Sequence, residues 1–157
     1  MSTVSPAVLR LSVGAASTTL DLAAPPAAQR HWDWPLGLAT LWATRPGGPS
    51  PVAIENAIQV VEDQIERVAP HMPAGARLVV SAETLAALRR EGAIAGLQQG
   101  AIALAQIERE YQALAGRSMG APSANASGFD DPSGDALVLI LRECLHHLGL
   151  DAVYLPD

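Results

Sequence analysis

The sequence predicts an α+β fold: a small, largely antiparallel sheet, built from an N-terminal hairpin and one to three further strands, packed against about four helices. Three observations predict it. Residues 7–23 alternate apolar and polar side chains on either side of a short turn. Residues 54–68 carry an apolar seam at helical spacing. The strands gather early in the chain and the helices late, without the regular strand–helix alternation of a doubly wound parallel sheet.

The hairpin reads as Val8, Leu9, Leu11 and Val13, then the turn "GAAS", then Thr18, Leu20 and Leu22. "APPAAQ" breaks the pattern at 24–29. In "RHWDWPLGLATLWATR", Pro35 and Gly37 weaken a helix, and a strand is expected over 37–44. "PGGPSP" at 46–51 opens a helix: Ser50 offers a side-chain acceptor for an early helical N–H, and Pro51 suits the first helical position because its missing donor has no acceptor there. Ile54, Ile58, Val61, Ile65 and Val68 then recur every three or four residues, and this helix should end near Ala69.

"ARLVVS" (76–81) reads as a strand, and Ser81 as the cap of a helix that Gly92 stops. A further helix is expected over 96–115, with Leu97, Leu104, Ile107, Tyr111 and Leu114 on one face. Residues 116–134, rich in Gly, Ser, Pro and Asn, read as a flexible loop within a single domain spanning 1–157. The last helix covers 135–148 and stops at Gly149, and "AVYLP" adds an edge strand.

Composition excludes several functions. The net charge is −6, lysine is absent, and the ten arginines are scattered, so no nucleic acid is expected as a partner. The single cysteine forms no internal disulfide, and no Cys-x-x-Cys pair exists for zinc or redox chemistry. The N-terminus lacks a basic segment ahead of its apolar run, which Arg10 interrupts, and no stretch approaches the ~20 apolar residues of a membrane span. A cytoplasmic protein without membrane contact is expected.

Two segments carry chemistry. In "LRECLHHLG" (141–149), Cys144 shares a helical face with Leu137, Leu141 and Leu148, which makes it a small buried hydrophobe rather than a nucleophile beside His147. Glu143 can meet His146 and His147 at spacings of three and four. Glu-x-x-His is half of a carboxylate-bridged di-iron ligand set, but the chain holds no second copy, with Glu108 and Glu110 the nearest residues to complete one. Glu143, His146 and His147 are therefore the weak metal alternative, and the expectation is no metal and no cofactor. The histidines are explained by the negative end of the helix, where a cationic imidazole is favoured.

The second segment is "HWDW". If extended, it turns Trp32 and Trp34 to one face and His31 and Asp33 to the other. With Trp42, these are all the tryptophans of an aromatic-poor chain, so His31, Trp32, Asp33, Trp34 and Trp42 are the candidate ligand- or partner-binding residues; the alternative is that the rings fill the core. "RPGGPSP" matches no phosphate-binding glycine motif, and the aspartates of "GFDDPSGD" lack calcium-loop spacing. No complete catalytic set is visible. The sequence reading is a non-catalytic accessory or subunit-type protein acting through association, as a homo-oligomer with a dimer favoured, or with a different protein as partner. The alternative is a small-molecule-binding protein or enzyme with a Trp-lined pocket under the 116–134 loop.

Overall fold

The hairpin forms as its alternation dictates. In the computed structural model, which describes residues 5–90, 100–120 and 132–156, β1 (Val8–Val13) pairs antiparallel with β2 (Thr18–Ala23), Leu11 opposite Leu20. β2 pairs antiparallel with β3 (Arg30–Trp34), Leu20 opposite Trp32. The chain then crosses through α1 (Pro51–Ile65) to β4 (Arg77–Val80), which lies parallel to β1 on the side away from β2. Next come α2 (Ala82–Arg90), β5 (Ala101–Ala103), α3 (Leu104–Ser118), α4 (Pro132–Leu148) and β6 (Ala152–Tyr154).

The sheet therefore has six strands in the order β3-β2-β1-β4-β6-β5, and it is mixed. β1, β4 and β6 are mutually parallel; β5 closes the far edge antiparallel to β6. This corrects the expected small, largely antiparallel sheet. The hairpin at the start of the chain hides two crossovers, β1 to β4 and β4 to β6, that return the chain in the same direction. β6, expected at an edge, lies inside the sheet.

Two local expectations change with it. The strand near the tryptophans is 30–34 rather than 37–44, because 37–40 folds into a turn held by Thr40 Oγ1 accepting from the Gly37 amide at 2.8 Å. The helix expected from 96 gives way to β5 at 101–103; Ala101-Ile102-Ala103 has little strand propensity, and its pairing with β6 decides its conformation. The expected loop at 116–134 is trimmed by α3 and α4, and its middle, 121–131, lies outside the described residues.

One face of the sheet is apolar. Leu9, Leu11, Val13, Leu20, Leu22, Trp32, Trp34, Leu78, Val80, Ile102 and Val153 are buried there and share one core with Ile54, Val61, Ile107, Leu114 and Leu137 of the helices. The other face carries exposed Arg10, Asp21, His31, Asp33 and Arg77. α1 starts as its sequence requires, with Ser50 Oγ accepting from the Ala53 amide at 3.2 Å and Pro51 at its head. The first part of α4 is buried around its whole circumference, since every residue from Asp135 to Leu141 is buried. No helix among the described residues is long and apolar enough to cross a membrane.

Candidate functional site

The parallel strands β1, β4 and β6 end at the same edge, and β3, two strands from β1, runs the same way. α2 starts at that edge directly after β4. α4 runs away from it, because three residues after its end the chain enters β6 at the opposite edge. α1 lies alongside α4 in the same sense, its Glu62 meeting His147 near both C-terminal ends. Three helices thus direct their positive ends toward the carboxyl edge of the sheet. In open α/β sheets ligands bind at this edge, where neighbouring connections leave a strand in opposite directions. Here that strand is β1, with the hairpin to β2 on one side and β4 on the other.

The edge is built around the turn Gly14–Ser17. The 36–40 segment braces it: the amides of Leu38 and Ala39 donate to the carbonyls of Gly14 and Ala15 at 2.9 and 2.8 Å, and Thr18 Oγ1 donates to the Leu36 carbonyl at 2.9 Å. The approach is so close that a Cβ on Gly37 would lie 2.4 Å from the Gly14 oxygen, so only glycine fits. On the other side of β1, Ser81 Oγ caps α2 by accepting from the Thr84 amide at 3.2 Å, and the buried Thr84 Oγ1 accepts from the Val13 amide at 2.9 Å. The amides of Ala82 and Glu83 have no intrahelical acceptor by helix geometry. Ser17, whose carbonyl accepts from the Gly14 amide, closes the glycine turn, and Ser81 stands at the head of α2. At the ends of α3 and α4, Arg117 Nη2 meets the buried Asp135 Oδ1 at 2.5 Å. Such an arrangement can hold an anion through N–H and O–H donors and helix dipoles.

The sequence marked "GAAS" as a turn and Ser81 as a helix cap, but none of these residues as part of a site. "GAAS" and "SAET" match no phosphate-binding motif, and only their placement at the ends of adjacent parallel strands brings them together.

The residues that did stand out lie elsewhere. Trp34 is fully buried and Trp32 nearly so, on the covered face of the sheet, where Trp32 packs 5.9 Å from the His71 ring. Trp42 is half-buried against the same core. Trp32 and Trp34 are core material. His31 and Asp33 face outward as alternation requires: His31 Nδ1 lies 2.6 Å from Asp21 Oδ1 and Nε2 lies 3.1 Å from Asp33 Oδ1. Those hydrogen bonds, to Asp21 first and then Asp33, raise the imidazole above its ordinary value, because both nitrogens can donate only when both carry protons.

"RECLHH" lies at the opposite edge of the sheet. Cys144 is fully buried, and burial, with the nearby Glu143 charge, pushes its thiol up to about 12, which excludes a thiolate nucleophile. Glu143 is 2% exposed, because α4 packs against both α1 and α3. Arg142 Nη1 donates to Glu143 Oε1 at 2.7 Å, and Arg142 Nε to Glu108 Oε1 at 2.8 Å, with its guanidinium carbon 3.9 Å from the Tyr111 ring centre. His146 pairs with Glu108, one of the two residues named as able to complete a site; Glu110 turns inward, where it meets Gln106. Partial burial alone would raise the Glu108 carboxyl, but hydrogen bonds and charge from His146 and Arg142 outweigh it and hold the group below its ordinary value. His147 Nε2 sits between Glu62 Oε1 at 3.0 Å and Glu143 Oε2 at 3.2 Å. Glu62 comes from α1, and nothing in the sequence links it to this group.

No family model matches the sequence, and no curated protein matches it. Solved structures do share the fold. The chain is similar to the Aquifex aeolicus PPX-GPPA enzyme, with a TM-score of 0.66 and 16% identity over 96% of this chain and 53% of that one. The type II crystal structure of the Aquifex aeolicus Ppx/GppA phosphatase gives 0.67 at 16% identity, covering 97% and 53%. An exopolyphosphatase from Cytophaga hutchinsonii gives 0.64 at 12% identity, covering 97% and 53%. The chain thus spans about half the length of each. Because solved structures that share this fold are enzymes, the expectation of a non-catalytic protein acting only through association is not kept. The fold over this length is that of the Ppx/GppA phosphatases.

Proposed function

We propose that this chain is a phosphatase-type domain that binds a phosphorylated substrate at the carboxyl edge of its sheet. The observation that carries the proposal is the pairing of the Gly14–Ser17 turn with the capped start of α2 on either side of β1, in a fold shared with exopolyphosphatases. In this reading, the amides of Ala82 and Glu83 and the hydroxyls of Ser17 and Ser81 bind phosphoryl oxygens. The positive end of α2 stabilises the charge on those oxygens as the phosphoryl group leaves its bridging oxygen for water. Of the carboxylates near this edge, Asp135 is committed to Arg117, while Glu83, in the first turn of α2, is exposed and stands beside the phosphoryl position.

The test is calorimetric titration of the full chain with a short-chain polyphosphate, alongside colorimetric detection of released phosphate. Saturable binding is expected, and Ser81→Asp should abolish it. That variant keeps a capping carboxylate for α2 but sets a negative charge against the ligand. Absence of binding, or binding indifferent to Ser81→Asp, would refute the reading.

A further inference from the structure

We propose that Glu62, Glu143 and His147 form a site for a first-row divalent metal ion, zinc by preference, at the edge of the sheet opposite the phosphoryl site. The three ligating atoms, one from each side chain, lie within 4.8 Å of one another. Two of the three separations are close to what a metal needs. With Zn–N and Zn–O bonds of about 2.0–2.2 Å, tetrahedral geometry sets neighbouring ligand atoms about 3.3–3.6 Å apart. His147 Nε2 lies 3.0 Å from Glu62 Oε1 and 3.2 Å from Glu143 Oε2. An ion entering between them need move the ligands outward by only a few tenths of an ångström at these two separations.

The framework is rigid. Glu143 and His147 stand one helical turn apart on α4, and Glu62 projects from α1, which packs along it. Glu143 is held from behind by Arg142 Nη1 on its other oxygen, the outer hydrogen bond that orients a ligating carboxylate. Arg142 is itself fixed by Glu108 and by the Tyr111 ring.

Charge favours a cation. Within the group, Glu62, Glu108 and Glu143 face one guanidinium, that of Arg142, which leaves two negative charges uncompensated when His146 and His147 are neutral. A divalent ion cancels them. The open side matters as well. The side chains of His147 and Glu62 are 42% and 30% exposed, so water can take the fourth position and the ion has a path in. Imidazole with two carboxylates suits zinc among the divalent ions, whereas magnesium and calcium prefer all-oxygen sites.

The experiment is calorimetric titration of the untagged, metal-free full chain with Zn2+ at neutral pH, repeated with Co2+ while visible absorption is recorded. One ion per chain is expected, with cobalt bands of a low-coordinate site. Glu62→Gln and His147→Ala should each weaken binding by at least about tenfold, since even outer partners of a ligand are worth that much. Glu62 is partly exposed, so Glu62→Gln should disturb the fold little, and circular dichroism checks both variants. His31→Ala, remote from the site, should bind as the native chain does. No saturable binding, or binding unaffected by Glu62→Gln and His147→Ala, would overturn the proposal and leave the three side chains as an interhelical ion-pair clip. Polyphosphate binding at the far edge is a separate measurement, so either reading can fail alone.

Discussion

Thr84 Oγ1 accepts a hydrogen bond from the backbone amide of Val13 at 2.9 Å, joining the first turn of α2 to the end of β1, 71 residues earlier in the chain. Both residues are buried, and Thr84 Oγ1 also lies 3.0 Å from Ser81 Oγ. One hydroxyl therefore sets the distance between the glycine turn and the helix start on which the phosphoryl reading depends.

Thr84→Val keeps the shape and removes the acceptor, leaving a buried N–H without a partner. Stability should fall by about 1–3 kcal/mol. Urea denaturation followed by circular dichroism checks it. An unchanged midpoint would mean that another acceptor serves Val13 and that the hydroxyl does not brace the edge.

His31 should titrate above its ordinary value of 6.5, because it donates to Asp21 and to Asp33 when charged. The sign follows from linkage. The stabilisation is fully present below the unfolded-state value and is lost as pH rises through the higher folded-state value. Proton NMR of the imidazole gives the midpoint directly. Replacing both Asp21 and Asp33 with Asn should return it toward the ordinary range, and a native midpoint at or below that range would show that the ion pairs do not persist in solution.

Cys144→Ala should cost about 1–2 kcal/mol by leaving a small cavity in the core, with ligand binding unaffected. Its thiol, held up at about 12, should react slowly with a thiol reagent in the native protein and rapidly in denaturant. Fast labelling of the native chain would contradict the burial.

What the sequence made legible was local. The seam of Ile54, Ile58, Val61 and Ile65 and the Ser50–Pro51 start mark α1, and the alternation from Val8 to Leu22 marks the hairpin. Gly149 ends α4 with a φ of +67°, a conformation that glycine adopts without strain. What escaped was set by long-range pairing. β4 beside β1 and β6 beside β4 are parallel contacts with no local signal, and three residues of β5 are strand only because β6 lies alongside. The sites divide the same way. The spacing of Glu143 and His147 showed that they could meet. Glu62 is 85 residues from His147 and joins them only because α1 and α4 pack together. The Trp32–Trp34 pair drew attention through rarity, and an aromatic-poor core explains that rarity as well as a binding wall does.

The central claim is that a phosphorylated ligand binds where β1 and β4 end. The direct measurement is amide chemical-shift mapping of the labelled full chain during titration with a short-chain polyphosphate. Saturable shifts should concentrate on Gly14–Ser17 and Ala82–Leu85 and leave Glu62, Glu143 and His147 unmoved. Shifts centred on the exposed sheet face around Arg10 and Arg77, or no saturable shifts at millimolar ligand, would contradict it.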